Sequence, residues 1–199
     1  ARYYSPVNQP APATLARAAL RRRVLLARAD PSEFVRIAGR REGGHPVRMG
    51  PIHLEWQRKL TDHDRVVLFA PVGHGKSNQV TRWRLEWEMG RNPAIRIGVV
   101  SVTRGGVAAK FMSAIRADIE DNKWLKLVFP HLKRGRGSQR MWSDSGLMID
   151  RPWPTPDPTV QTFGLYGKIL GSRLDLIVLD DLCNLENTIT QQSRDKMWD

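Results

Sequence analysis

The sequence predicts an α/β fold in which helices flank a mainly parallel central sheet. Two patterns indicate this class. Apolar, strand-like runs alternate with amphipathic helical segments from residue 65 onward, and a glycine-rich turn joins the first such run directly to the helical segment after it. Strands separated by helices need crossover connections, which make neighbouring strands parallel. We therefore expect a layered α/β core, preceded by a smaller helical part.

Length and charge set the size of the protein and the kind of partner it binds. The 199 residues suffice for one packed domain with an appendage. The formal net charge of +12 indicates a polyanionic partner, with nucleic acid as the first expectation. A single cysteine, Cys183, excludes an intrachain disulfide, and no Cys or His spacing suits a zinc site. Because no apolar run approaches the roughly 18 residues of a membrane span, we expect an intracellular protein. Its ends are typical of a piece of a longer chain.

Residues 1–47 are predicted to form a small basic helical appendage, or lid. The first fifty residues hold ten arginines and only three carboxylates. Residues 14–29 have the alanine, leucine and arginine content of a helix, with Leu15, Ala19 and Leu26 on one face and arginines opposite. The appendage therefore concentrates positive charge on a helical surface.

Turn signals and apolar periodicity predict the remaining elements. Asp30 and Pro31 are typical of the cap and the first residue of a second helix, which ends near Gly39. A hinge rich in glycine and proline at 43–46 then leads into the main domain, residues 48–199. The predicted elements of that domain are strand 65–70, helix 77–89, strand 95–102, helix 103–121, hairpin 140–149, strand 159–165 and strand 174–179.

The most specific motif is a phosphate-binding loop between the first of these strands and the first helix. It matches the pattern G-x-x-x-x-G-K-[ST] except for Ala70 at the first position. In such a loop backbone N–H groups hold the β-phosphate, the lysine neutralises phosphate oxygens and the serine hydroxyl ligates Mg²⁺. A glycine turn with a surface lysine is the alternative, but the flanking strand and helix are the context that the motif requires. The predicted fold is thus a P-loop NTPase. Its predicted nucleotide-binding residues are Pro71, Val72, Gly73, His74, Gly75, Lys76 and Ser77.

A pair of carboxylates follows the last predicted strand. Asp180 and Asp181 come directly after the apolar run 176–179. In a P-loop ATPase the first acid belongs to the Mg²⁺ shell, and the second orients or deprotonates the attacking water. Two solvated acids after a strand are the alternative. The phosphate loop upstream favours the functional interpretation.

Three other positions have two interpretations each. Arg173 follows a glycine-rich loop and is a candidate for stabilising transition-state charge in a neighbouring subunit, or else for pairing with Asp175 or Asp181. Gln57 has an amide that suits an adenine edge, or it is a surface glutamine. The basic loop 133–140 is either a contact to a DNA backbone or a solvated charge run.

Together these residues resemble the ATPase half of a tailed-bacteriophage terminase large subunit. The resemblance extends from about residue 25 to the end, and it also includes Ser101 and Thr103 after the second strand and the glycine-rich run 167–173. It implies a RecA-like, additional-strand ATPase domain with a helical lid, binding ATP and Mg²⁺. It further implies a ring of subunits on the procapsid portal in the host cytoplasm, which drives double-stranded DNA inward and has the small terminase subunit as a partner.

The resemblance also assigns a role to each site residue. It gives Lys76 and Ser77 to phosphate and Mg²⁺, Asp180 to Mg²⁺, Asp181 to water activation, Gln57 to adenine and Arg173 to the trans arginine. Val72 departs from the family, whose members often carry a basic residue near the start of this loop. The coupling motif and the nuclease half that the resemblance implies are both expected beyond residue 199, so no DNA cleavage is expected from residues 1–199.

Two other functions remain open from sequence. The first is a different P-loop nucleic-acid translocase, such as a helicase-like ATPase, which would carry a second ATPase-like half. The second is a non-enzymatic, basic nucleic-acid-binding module whose nucleotide site is degenerate. Loss of ATP binding on removal of the Lys76 side chain would exclude this second function.

Overall fold

The computed structural model describes residues 12–102, 106–137, 139–153, 155–165, 167, 171–182 and 190–192. Within these ranges, helices and a five-stranded sheet contribute side chains to one apolar cluster. The helical elements are α1 (Pro12–Ala29), α2 (Pro31–Ala38), a short 3₁₀ turn (Glu42–Gly44), α3 (Pro51–Asp62), a π-helical segment (Asn78–Arg84), α4 (Leu85–Arg91), α5 (Val107–Asp121) and α6 (Lys123–Val128).

The central part of the sheet is parallel, as the sequence predicts. Its strands are β1 (Ile97–Ser101), β2 (Trp142–Ser143), β3 (Gly146–Leu147), β4 (Val160–Gly164) and β5 (Leu176–Leu179), in the order β2-β3-β4-β1-β5. Strand β1 pairs in parallel with β4 on one side and β5 on the other, so that Val99 lies opposite both Thr162 and Val178. Strands β2 and β3 form the predicted hairpin and add to β4 in the antiparallel sense. The mixed α/β class is therefore confirmed.

Local sequence signals explain how α2 begins. The Asp30 carboxylate accepts a hydrogen bond of 2.7 Å from the Ser32 backbone N–H, and Pro31 occupies the first helical position. The cap and the helix end at Gly39 are as predicted. Helix α2 buries Phe34 and Val35 in the same apolar cluster as the residues of α4, α5 and α6. Residues on both sides of the boundary expected at residue 47 therefore contribute to the same apolar cluster, and the division of the chain at that residue stays a prediction.

The buried residues of helix α1 differ from those of its predicted apolar face. Leu15 and Leu26 are 54% and 46% exposed, whereas Ala27 is fully buried. Arg28, on the arginine-bearing side, donates a hydrogen bond of 2.7 Å from Nε to the Val128 carbonyl at the end of α6. Among its described side chains, Ala27 near the C-terminal end is the buried one, and the leucines of the helix remain at the surface.

The prediction of a strand over residues 65–70 is wrong. These residues belong to no strand or helix in the structure, and the side chains of Val67 and Phe69 are 78% and 92% exposed. A strand is stabilised by ladder hydrogen bonds to a neighbour. Strand β5, at the edge of the sheet, pairs only with β1 among the described residues. An apolar run alone does not make a strand where no partner is in register with it.

The helices of the described ranges include none that combines the length and the apolar character needed to cross a membrane.

Candidate nucleotide-binding site

The glycine-rich loop adopts a backbone that only glycine accommodates easily. Gly73 and Gly75 have φ values of +85° and +72°, in the left-handed region. No heavy atom outside the immediate chain neighbours lies within 4 Å of the position that a Cβ would take at either glycine. The loop is thus an open, exposed turn with free space beside its backbone. The helix begins directly after it, since the Gln79 N–H donates to the Gly75 carbonyl at 2.9 Å.

A histidine braces this loop from α3. The Gly50 N–H donates to His53 Nδ1 at 3.1 Å, so Nδ1 is the unprotonated ring nitrogen. His53 Nε2 therefore carries the proton and donates it to the His74 carbonyl at 3.0 Å. Sequence analysis missed His53. The available signal was its position at the third residue of a helix that starts Gly50-Pro51, where a side chain can reach back to the cap.

The phosphate loop contacts the first carboxylate of the acid pair. Ser77 Oγ donates to Asp180 Oδ1 at 3.1 Å, and Thr81 Oγ1 donates to Asp180 Oδ2 at 2.7 Å. The Asp180 N–H donates to the Val100 carbonyl at 2.9 Å, which extends the β1–β5 ladder to the carboxyl end of the sheet. Ligands of parallel α/β sheets bind at this edge.

The second carboxylate faces the loop lysine. Lys76 Nζ lies 3.6 Å from Asp181 Oδ1. Among the residues that the structure describes, Asp181 is the one non-glycine residue with a positive φ, at +50°. Such a conformation is unusual for a side-chain-bearing residue and occurs where surrounding structure holds it in place. The turn directs the Asp180 and Asp181 side chains to two different partners on the phosphate loop.

Comparison with known proteins identifies the family. A search against family models finds no match. The chain is, however, 32% identical over 139 residues to the terminase large subunit of Enterobacteria phage T3. This chain belongs to the terminase large-subunit family. The match covers 69% of the chain and 22% of the phage T3 protein, so the terminase chain spans about a fifth of the length of that relative.

The structure places Gln57 of the terminase chain in the interior. Its side chain is fully buried, and its Nε2 donates to the Gln79 backbone carbonyl at 3.0 Å and to Gln79 Oε1 at 3.1 Å. The surface-glutamine alternative is therefore wrong. Within the described ranges the Gln57 Oε1 atom has no hydrogen-bond partner. Contact with adenine stays a prediction, which requires this amide to turn away from Gln79.

Arg173 is exposed and makes no hydrogen bond or ion pair with the residues that the structure describes. Asp175 and Asp181, the two alternative partners of Arg173, pair with other residues. Asp175 pairs with Arg96, whose Nη2 lies 2.7 Å from its Oδ1, and Lys76 faces Asp181. The hydrogen bonds from Arg96 lower the pKa of Asp175 below its ordinary value. Arg173 is thus left as an exposed cation near the acid pair in sequence, and its trans role stays a prediction.

The basic loop lies on the outer hairpin of the sheet. Residue 134 forms an isolated bridge with residue 149 across the hairpin. Arg136 pairs with Asp150 at 3.0 Å while remaining largely exposed, and the Arg134 guanidinium lies over the Trp142 ring. The backbone of this loop is therefore held on the hairpin while its guanidinium groups stay at the surface. Contact with DNA stays a prediction, and part of the loop, Ser138, lies outside the described residues, as does Cys183.

A buried charge cluster anchors the helix that follows the phosphate loop. Arg82 Nη2 lies 2.6 Å from Asp118 Oδ2 on α5 and its Nε lies 3.8 Å from Glu86 Oε1. Asn122 donates to the other Asp118 oxygen at 3.2 Å and to the Ala38 carbonyl of α2 at 2.9 Å. Burial, reinforced by the nearby charge of Asp118, raises the pKa of Glu86 well above its ordinary value. The cluster joins α2, α5 and the helix of the loop.

The residues at this edge fit a nucleotide with a hard divalent cation. A serine hydroxyl and a carboxylate within 3.1 Å of each other supply the oxygen ligands that Mg²⁺ prefers, and Mg²⁺ usually takes the remainder from phosphates and water. The open loop at Gly73 and Gly75 has room for phosphate oxygens. Lys76 supplies the positive charge beside that space.

Proposed function

We propose that the chain is the ATP-hydrolysing motor domain of a terminase large subunit, which translocates double-stranded DNA into a procapsid. The observation that carries the proposal is the hydrogen bond between Ser77 on the phosphate loop and Asp180 at the end of β5. It joins two sequence motifs that lie 103 residues apart, at the edge of a parallel sheet where phosphate ligands bind. The similarity to the phage T3 protein supplies the DNA-packaging context.

Each loop residue has a defined task in this proposal. The left-handed backbone at Gly73 and Gly75 turns the loop so that its N–H groups can hold phosphate oxygens. Ser77 and Asp180 would hold Mg²⁺, which when bound neutralises charge on the β- and γ-phosphates. Ser77 can serve both partners, since its one proton goes to Asp180 and its lone pairs remain for a cation.

Lys76 and Asp181 are proposed to act on phosphate and water. Their contact is long and partly exposed, and pairs of this kind contribute at most about 1 kcal/mol. Lys76 can therefore exchange Asp181 for phosphate oxygens at little cost. Asp181 is then free to accept a proton from an attacking water, or to orient it.

The charge of the chain suits the proposed substrate. A net charge of +12 favours binding to the phosphate backbone of DNA, with little dependence on base sequence and a steep dependence on salt. A homo-oligomeric ring on the portal, the portal protein and the small terminase subunit are the proposed partners. In such a ring Arg173 would complete the ATP site of the neighbouring subunit.

Nucleotide binding tests the proposal directly. Fluorescent ATP is titrated with Mg²⁺ against the wild-type chain, Lys76→Ala and Lys110→Ala, the last being an exposed lysine on α5 outside the site. We expect binding to weaken at least tenfold in Lys76→Ala and to stay unchanged in Lys110→Ala. Equal binding by all three proteins would contradict the proposal and would favour a basic nucleic-acid-binding module without a working nucleotide site.

A further inference from the structure

Both oxygens of the Asp180 carboxylate accept hydrogen bonds from one stretch of chain. Oδ1 accepts from Ser77 and Oδ2 accepts from Thr81, four residues later. The Thr81 contact is the shorter of the two, at 2.7 Å, and Thr81 is 1% exposed while Asp180 is 5% exposed. Asp180 is thus held from two positions where the phosphate loop passes into the π-helical segment.

We propose that Thr81 is a positioning residue, which fixes the orientation of the Asp180 carboxylate so that Oδ1 faces the cation position at Ser77. The proposal rests on the nucleotide-binding function proposed above. It adds a residue outside the phosphate-loop pattern, one that touches neither the nucleotide nor the cation and acts only through Asp180.

The chemistry of threonine explains why it can perform this task. Its hydroxyl has one proton, and in this structure that proton goes to Asp180 Oδ2. A hydrogen bond to an ionised carboxylate is about twice as strong as one between neutral groups. Because threonine is branched at Cβ, its χ1 angle is restricted to few rotamers, and the hydrogen bond to Asp180 selects the one in which the hydroxyl faces the carboxylate.

The second donor matters because a carboxylate held at one oxygen can still rotate. The terminal torsion of Asp is broad and roughly two-fold, so Ser77 alone leaves Asp180 free to turn about the Ser77 contact. Serine must also offer a lone pair to the cation, which shifts its hydroxyl. Thr81 holds Oδ2 independently of the cation and so keeps Oδ1 in place while Ser77 adjusts.

The test compares three substitutions at this position. Thr81→Val keeps the shape and removes the donor, Thr81→Ser keeps the donor, and Thr81→Cys keeps a similar volume with a weak donor. Thr162→Val is the matched control, since Thr162 is fully buried on β4, which β1 separates from β5 and the acid pair. Binding of a fluorescent ATP analogue is measured in EDTA and as a function of Mg²⁺ concentration, with folding checked by circular dichroism.

We expect Thr81→Val to raise the Mg²⁺ concentration for half-maximal nucleotide binding at least tenfold, while binding in EDTA changes less than twofold. Thr81→Ser and Thr162→Val should stay within twofold of wild type in both conditions. The Mg²⁺ concentration for half-maximal binding by Thr81→Cys should lie between the values for Thr81→Val and Thr81→Ser. Thr81→Cys provides the test if Thr81→Val does not fold. A purely structural role would lower stability without changing the Mg²⁺ dependence.

Two results would overturn the inference, and they are distinguishable. If wild type binds nucleotide in a Lys76-dependent way and Thr81→Val or Thr81→Cys has the wild-type Mg²⁺ dependence, Thr81 does not position Asp180 and the proposed function stands. If wild type shows no Lys76-dependent binding, the proposed function and this inference are both wrong.

Discussion

The ammonium group of Lys76 lies 3.6 Å from the Oδ1 atom of Asp181, so the residue proposed to bind phosphate and the residue proposed as general base are paired with each other. In the proposed reaction the two side chains have separate partners. The pair therefore has to separate when nucleotide enters, and removal of the Asp181 charge should leave Lys76 free to bind phosphate.

Asp181→Asn is expected to retain nucleotide binding and to lose hydrolysis. General-base catalysis contributes about 10²- to 10⁴-fold, so phosphate release should fall at least 100-fold, while ATP affinity stays equal or rises. Phosphate release at high protein concentration and fluorescent ATP binding measure the two effects. Asp64→Asn, an exposed aspartate before the loop, is the control. Hydrolysis at the wild-type rate in Asp181→Asn would exclude Asp181 as the base.

Glu86 is expected to make the protein less stable as pH rises. Since the pKa of the buried carboxyl is raised in the folded state, the folded protein holds its proton more tightly than the unfolded chain. Stability from this group is complete below the ordinary glutamate pKa and is lost as pH rises through the raised value. Glu86→Gln, which cannot ionise, should be more stable than wild type at the high end of that range.

Urea unfolding of the Glu86→Gln variant, measured at a series of pH values from 5 to 8, tests this expectation. The difference in unfolding free energy between variant and wild type should grow with pH. Glu120→Gln, on the exposed face of α5, should follow the wild-type pH profile. A constant difference across the series would show that Glu86 does not titrate there.

The exposed apolar run before the phosphate loop is expected to promote self-association. Phe69 is 92% exposed and Val67 is 78% exposed, and both precede the phosphate loop directly in the chain. Exposed apolar segments and open sheet edges favour aggregation. Phe69→Lys should reduce light scattering at high concentration, and it should change the unfolding free energy by no more than about 0.5 kcal/mol. Phe163→Lys, at a buried position of β4, should instead unfold the protein.

The same segment shows where sequence-based prediction stops. The capped start of α2 at Asp30 follows from adjacent residues, and the parallel arrangement of β1, β4 and β5 follows from the alternation of strands and helices. The structure confirms both. Whether residues 65–70 pair as a strand depends on a neighbour elsewhere in the chain. An apolar sequence run carries no information about that neighbour.

The candidate site divides in the same way. Ser77 and Asp180 belong to two recognisable motifs, so their contact could be predicted. Thr81 and His53 belong to no motif. Their roles depend on contacts with groups elsewhere in the chain: the Asp180 carboxylate lies 99 residues from Thr81, and the His74 carbonyl lies 21 residues from His53. The sequence makes Gln57 a candidate, but its burial against Gln79 follows from the packing of α3 on the loop helix.

His53 is expected to tune nucleotide affinity through the loop backbone. It donates to the His74 carbonyl and so limits the positions that the loop can adopt. His53→Ala should weaken ATP binding several-fold, and the lost hydrogen bonds should cost about 0.5–1.5 kcal/mol each in stability. His63→Ala, an exposed histidine at the end of α3, is the control. Titration calorimetry measures the ATP affinity and urea unfolding measures the stability. Unchanged ATP affinity in His53→Ala would show that His53 does not influence nucleotide binding through the loop backbone.

Arg173 can be tested for action between subunits by mixing two inactive variants. Arg173→Ala retains Asp181, and Asp181→Asn retains Arg173. Each alone should hydrolyse ATP at a small fraction of the wild-type rate, since an arginine acting on the transition state contributes about 10³- to 10⁵-fold. If Arg173 completes the site of a neighbour, the mixture contains pairs with one intact site, and phosphate release should exceed the sum of the separate proteins. Hydrolysis by Arg173→Ala at the wild-type rate would show that Arg173 is not needed for hydrolysis. A mixture that releases phosphate no faster than the sum of the two variants would exclude the trans role, because an arginine that acts within its own subunit cannot be supplied by another.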